Sequence, residues 1–287
     1  DTDGPLIANG GGRPPSLASS KSIDGYVADS LYPSNFHAAF TPARTDAILA
    51  HVGVMPPRTP GQREPFVMVD VGCGDGVGLI VNAAAHPEAR FIGVDAIPGH
   101  IERGKRLADE WGVDNIDLIC ATFDEAARQL PPDSVDYVQC QGVLAWVSEA
   151  NRRMVAAIAG QALKPGGALT IGYNCQPGWL HVAPFQRMVL ALASDRPGTP
   201  TQRFDAATQA LRATSLLQPE IWAWLDDLQS RLPHDYFAHE YLNEYWRPLW
   251  ASEAFALMAE NKLQFVADAN AARLRPDLCL KRAGAMR

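Results

Sequence analysis

Between Phe66 and Asn174 the hydrophobic pattern keeps switching period. FVMVDV (66–71), RFIGVDA (90–96), NIDLICA (115–121), VDYVQCQ (135–141) and ALTIGYN (168–174) are short apolar runs rich in β-branched residues, and they read as strands. LIVNAAAH (79–86), IERGKRLADEWG (101–112) and EANRRMVAAIAGQAL (149–163) carry helical spacing between them, the last stopped by Lys-Pro-Gly-Gly. Regular alternation of strand and helix predicts an α/β protein with a doubly wound, mostly parallel sheet, spanning residues 65–179.

The flanks follow other patterns. Residues 1–22, dominated by Gly, Pro and Ser, are too poor in large apolar side chains to offset the entropy of ordering and read as a flexible arm. Residues 23–64 hold a short helix on PARTDAILAHVG (42–53), with proline at its start, and a Pro-rich linker on MPPRTPGQREP (55–65). After Trp179 the strand rhythm stops, and residues 180–250 read as a helical insertion broken at SDRPGTPTQ (194–202). Its end is aromatic, with Trp222, Trp224, Tyr236, Phe237, Tyr241, Tyr245, Trp246 and Trp250, a composition that suits the core of the inserted helices better than an acceptor pocket. Residues 251–287 then complete the sheet: a helix capped by Ser252, a short strand within LQFVADA (263–269), and a final antiparallel edge strand on PDLCLKRAG (276–284).

Composition narrows the function classes. A chain of 287 residues that is 47% hydrophobic buries the core of one large domain, or of a domain with an insertion. Its net charge of -7 and lack of any basic run argue against nucleic acid or an anionic membrane as partner. No apolar run approaches the ~18 residues of a membrane span, and no leader pattern opens the chain, which begins at Asp1. Five scattered cysteines without a C-x-x-C pair fit a reducing, cytoplasmic setting. The seven histidines show no metal-binding spacing, and the expectation is of no metal.

The first strand runs into Asp70-x-Gly72-x-Gly74-x-Gly76, an acid followed by glycines at strict alternation. The dinucleotide fingerprint G-x-G-x-x-G is not met, because its third glycine falls on Val77 or Leu79, and no Lys-Ser/Thr follows to make a P-loop. A carboxylate at this point repels a pyrophosphate and attracts a cation. The second strand ends in Asp95, where a carboxylate accepts hydrogen bonds from ribose hydroxyls, a feature that NAD-binding proteins share.

This arrangement resembles the first motif of class I S-adenosylmethionine (SAM)-dependent methyltransferases. The resemblance implies a Rossmann-like methyltransferase sheet, with SAM as cofactor and S-adenosylhomocysteine (AdoHcy) as product. It assigns Asp70, Gly72, Cys73, Gly74 and Gly76 to the methionine side of the cofactor, and Asp95 with Ala96 to the ribose. Thr122 and Phe123, in CATFDEA, fall to the adenine, with Thr standing where Asp is commoner; Gln141 and Gly142, in QCQGVLAWV, fall beside the sulfonium, with Trp146 just beyond.

A narrower likeness covers residues 26–270: Tyr32-Pro33, the stretch from Tyr173 to Trp179 (YNCQPGW) and the stretch from His239 to Leu242 (HEYL) resemble methyltransferases with a regulatory domain, some of which modify protein lysines. Similar enzymes fold the segment around Tyr26 and Tyr32 over the cofactor. Candidate acceptor-side residues are Tyr32, Tyr173, Asn174 and His239, the last beside Glu240 and the best placed to be a general base. A histidine satisfied within the core is the blander reading of His239. The insertion is expected to cap the acceptor site, because it leaves the carboxyl end of the fifth strand. The acceptor is a small molecule or a polypeptide, the small molecule slightly favoured; a SAM-binding interaction module and a NAD enzyme are the competing classes.

Overall fold

The computed structural model describes residues 22–269, apart from Asp29 and Pro60. The arm predicted on 1–22, but for Ser22, and the edge strand predicted on 276–284 lie outside those residues. The described chain opens with a hairpin of β1 (Ser22–Ile23) and β2 (Tyr26–Val27). Asp24 and Gly25 form its two-residue turn, both at positive φ, the conformation that Asp-Gly favours in a tight hairpin. Helix α1 (Pro42–His51) starts where Thr41 caps the Arg44 amide, and Arg58 of the linker behind it pairs with Asp46 at 2.7 Å and lies over the Phe66 ring.

The sheet follows: β3 (Val67–Val71), α2 (Val77–Ala85), β4 (Arg90–Asp95), α3 (Pro98–Glu110), β5 (Ile116–Cys120), α4 (Phe123–Gln129), β6 (Val135–Gln141), α5 (Glu149–Ala162) and β7 (Leu163–Gly172). Its order is β5-β4-β3-β6-β7, with every pair parallel. Both faces are covered, which is why the strands read as nearly continuous apolar runs. Val69, Val71, Ile92 and Val94 enter a core with α5; the alternate residues Met68 and Phe91 join a second core with Leu79 and Ala83 of α2. Phe91 and Ile92 are completely buried, each contributing roughly 1.5–3 kcal/mol of apolar transfer.

The chain leaves the sheet after β7 through α6 (Ala183–Ala193), α7 (Pro200–Arg212), α8 (Pro219–Gln229) and α9 (Tyr236–Tyr241). These helices bury a core of their own around Phe185, Phe204, Phe237 and Tyr241, joined by Trp222, Trp224, Tyr236 and Trp246, so these aromatic positions serve packing as expected, whereas Tyr245 and Trp250 are exposed. Helix α10 (Ala251–Ala259) returns to the sheet, with Leu257 and Met258 in the α5 core.

Two expectations for this return are corrected. Ser252 lies inside the first turn of α10, whose N-terminus is instead closed by Glu253 accepting from the Trp250 amide at 2.8 Å. Residues 263–269 form no strand: Phe265 stacks on Phe255 of α10, with ring centroids 4.3 Å apart, and so gains its apolar contact from the helix rather than from a sheet edge. Among the described residues no helix is long and apolar enough to cross a membrane.

Candidate functional site

The chain moves outward from β3 through β4 to β5, then returns to the other side of β3 for β6 and β7. That reversal leaves a crevice beyond the carboxyl ends of β3 and β6, the place where open α/β sheets bind ligands. A cavity of about 410 Å³ occupies it.

Its floor comes from strand ends. Asp70, Gly72, Cys73 and Gly74 line it after β3, Asp95 and Ala96 after β4, Thr122 and Phe123 after β5, and Gln141 and Gly142 after β6. Ten of the eleven cofactor residues predicted from sequence therefore meet around one space. Gly76 does not line it. It caps α2 in the left-handed conformation (φ 67°), and an added Cβ would stand 2.9 Å from Leu118, so its role is to let the loop turn. Gly72 is held similarly: φ is 79°, and a Cβ there would clash with the Val143 side chain. A Cβ on Gly74 would meet nothing within 4 Å, which leaves the backbone there open to close approach.

The charges fit a cationic ligand. Asp24, Asp70, Asp75, Asp95 and Asp124 line the cavity and, among the described residues, no Lys or Arg does. A pyrophosphate would be repelled; a sulfonium and an ammonium would be attracted. Asp70 is buried, accepts from Gln139 Nε2 at 2.6 Å through one oxygen, and has no hydrogen-bond partner on the other. Burial first, and then the charge of Asp95, raise its pKa to about 7, a state that a bound ammonium would reverse. Asp95 accepts from Gly74 N at 2.9 Å, Ile97 N at 2.9 Å and His100 Nδ1 at 3.1 Å. Thr122 lines the cavity, but its hydroxyl caps α4 by accepting from Glu125 N at 3.4 Å and donates to the Glu125 carboxylate, consistent with the departure from Asp noted at this position.

The roof is the N-terminal segment. Tyr26, Tyr32, Pro33, Asn35, Phe36, His37 and Phe40 all line the cavity, so this segment closes it on the side away from the strand ends. Tyr32 lies beside Trp146 (centroids 6.2 Å apart), and Trp146 packs on Gly142, where an added Cβ would be 2.8 Å from its ring. The insertion is one layer further out: none of residues 180–250 lines the cavity. It grips the roof through Asn243, which accepts from Val27 N at 3.0 Å, through Glu244 N donating to Gly25 O at 2.9 Å, and through His239 Nε2, 3.0 Å from Ser30 Oγ.

The other acceptor-side candidates are placed differently from the sequence expectation. Tyr173 packs against the sheet core, and burial moves its hydroxyl up to about 12. Asn174 donates to Glu240 Oε1 at 2.8 Å. His239 is fully buried against Tyr26 and Tyr32, and burial, then the nearby His100, lower its pKa to about 4, so it is neutral. None of the three lines the cavity; Tyr32 does.

Sequence reasoning missed Glu240 as a group in its own right. Buried at 1% exposure, it accepts from Asn174, from Trp246 Nε1 at 3.4 Å and from Tyr236 OH at 3.3 Å, and burial raises it to about 7. It joins the YNCQPGW and HEYL stretches, which only the fold brings together. Also missed were Asp75, His100 and Arg103, which hold the roof to the floor; the Asp-Gly turn at 24–25 was the available signal that the roof begins with a hairpin.

The five-stranded parallel sheet with its flanking helices has the Rossmann-like fold of SAM-dependent methyltransferases. Residues 68–167 match the family described as methyltransferase domain, and residues 233–285 match the one described as predicted methyltransferase regulatory domain; the chain carries both. It is similar to PKMT2 from Rickettsia typhi, solved in complex with AdoHcy, with a TM-score of 0.65 and 24% identity over 83% of this chain and 46% of that one. The uncharacterized protein sll1526 of Synechocystis is 27% identical over 255 residues, 86% of this chain and 49% of that protein. The uncharacterized protein RP789 of Rickettsia prowazekii is 23% identical over 245 residues, 83% of this chain and 43% of its own length. The chain thus spans about half the length of these relatives.

Proposed function

We propose that the protein methylates an amine nitrogen at the tip of a slim chain, such as a lysine side chain, using SAM. The observation that carries this reading is the acidic cavity, walled by Tyr26, Tyr32 and Trp146 beside the Gln141–Gly142 end and free of Lys and Arg among the described residues. Aromatic faces with carboxylates behind them attract an alkylammonium. Bound on the floor, SAM supplies a methyl group activated by its sulfonium. On this reading Asp70 receives the ammonium of the methionine part, Asp95 orients the ribose, and Gln141 and Gly142 flank the transferring end, a division of roles supported by their common place on the cavity wall.

Tyr32 and Trp146 exclude water and align the acceptor, and positioning is most of what an in-line methyl transfer requires. No general base is needed beyond loss of the amine's proton; His239 stands behind the roof. A volume of about 410 Å³ lies near the low end for a single ligand, ~300–1,000 Å³. That leaves more room for a slim alkylamine than for a second enclosed molecule, and shifts the balance from a small acceptor towards a polypeptide.

The test uses the intact chain with methyl-labelled SAM and a cell extract separated into protein and small-molecule fractions. Acid-stable label on protein, lost when amines are first blocked, is the expected result. Label confined to the small-molecule fraction would replace lysine with a small amine. Failure of AdoHcy to bind in calorimetry would overturn the methyltransferase reading itself.

A further inference from the structure

Helix α3 carries a connection between floor and roof that the transfer reaction alone does not use. His100, 2% exposed, accepts from the Tyr32 amide through Nε2 at 2.9 Å. That bond requires Nε2 to be unprotonated, so Nδ1 bears the proton and donates to Asp95 Oδ1 at 3.1 Å. One turn on, Arg103 donates to Tyr32 O at 2.8 Å and pairs with Asp75 of the glycine loop at 2.6 Å; Ser34 Oγ donates to the same Asp75 oxygen at 2.5 Å. The peptide groups of Tyr32 are therefore held on both sides by α3, and its ring forms the wall beside Trp146. Meanwhile Asp95 already accepts three hydrogen bonds, and a carboxylate offers about four acceptor positions. Two of its donors are backbone amides, fixed by the loop. His100 is the one side chain among these three donors.

We propose that His100 is a positioning residue coupling cofactor binding to assembly of the acceptor wall: one imidazole sets both the carboxylate that receives the ribose and the backbone amide that places the Tyr32 ring. The inference rests on reading the floor as the SAM site. Coupling of this kind is reciprocal, so a ligand that fixes Asp95 orders the segment around Tyr32, and an ordered segment tightens the ligand.

Hydrogen exchange of residues 30–40, with and without AdoHcy, tests it on the intact chain beside calorimetric affinity. The unsubstituted protein is expected to show AdoHcy slowing exchange of this segment by about tenfold, within the usual span of coupling between sites. His100→Phe fills the space without polar groups; it is expected to weaken AdoHcy by about tenfold and to remove the ligand-dependent protection.

Two conservative variants separate the halves of the connection. His100→Asn keeps a donor near the Nδ1 position, so AdoHcy affinity stays within about threefold while the protection is lost. His100→Gln keeps an acceptor near Nε2, so Tyr32 stays protected in the free protein while affinity falls. Equal losses in all three variants, together with lowered melting temperatures, would show a merely structural role and overturn the proposal. Ligand-dependent protection that persists in all three would overturn it as well. If the unsubstituted chain binds no AdoHcy, the reading of the site fails first, which is a distinguishable result.

Discussion

The floor and the roof of the cavity are built on different principles. Floor residues sit at the ends of adjacent parallel strands, and the loop that presents Gly72 and Gly74 is fixed by neighbouring backbone, with Gly72 N and Cys73 N both donating to Val94 O at 2.8 and 3.0 Å. Roof residues depend on partners far along the chain: Val27 reaches Asn243 across 216 positions, and Ser30 reaches His239 across 209. The floor forms once the sheet forms, whereas the roof needs the sheet, the insertion and α3 together. Cofactor binding should therefore be robust, and acceptor chemistry conditional.

The largest expected break is in the floor. Asp95→Ala removes the acceptor shared by Gly74, Ile97 and His100, and should weaken AdoHcy by roughly 1.5–3 kcal/mol in calorimetry, the scale of hydrogen bonds to a charged group. An unchanged affinity would remove Asp95 from the ribose site. Next, Gly72→Ala forces a Cβ against Val143 from a left-handed backbone and should lower stability by roughly 1–3 kcal/mol in a denaturant melt, with AdoHcy binding falling alongside.

The roof should separate these two quantities. Asn243, fully buried, accepts from Val27 N and donates to His239 O; Asn243→Ala should cost roughly 1–3 kcal/mol of stability. Methyl transfer should fall by more than tenfold while AdoHcy affinity falls by less, at most the roughly tenfold that links roof to floor, and an equal loss of both would erase the contrast between the two layers.

The smallest effect sharpens the floor itself. Burial holds the Asp70 carboxyl near a pKa of about 7, while the cofactor's ammonium calls for the ionised form. Binding then releases a proton, and AdoHcy affinity should rise roughly five- to tenfold from pH 6 to 8 before levelling. Asp70→Asn should flatten that rise. In the free protein the same raised pKa runs the opposite way: its stability contribution is full at low pH and is lost as pH climbs through about 7.

The two layers also differ in how far the sequence discloses them. The five strands, and the convergence of ten of the eleven residues proposed for the cofactor on one cavity, were legible because strand periodicity and a glycine loop are local signals, read within windows of a few residues. Gly76 was misplaced because spacing alone does not separate a glycine that faces a ligand from one that lets a helix start. Acceptor-side residues were chosen for chemical type. His239 and Asn174 turn out to be braces, one on Ser30 and the other on Glu240, since nothing in the chain's local pattern tells which ring faces the cavity and which backs it. Arg103 was read only as part of a helix, and His100, one residue before that predicted helix, was not read at all; their partners at Tyr32 lie 71 and 68 positions away.

The insertion leaves and rejoins the sheet at almost one point. Cys175 and Leu249 form a parallel bridge, with Leu249 N donating to Asn174 O at 3.0 Å and Gln176 N to Leu249 O at 2.9 Å. The sheet therefore registers two adjacent chain ends and not what lies between them. Closing a longer or shorter excursion at such a staple changes the entropy by only about 0.6 kcal/mol per doubling of length. The outer layer is in this sense a cassette: changes in the length of its helices should cost the sheet little, provided a replacement still offers the roof what His239, Asn243 and Glu244 supply.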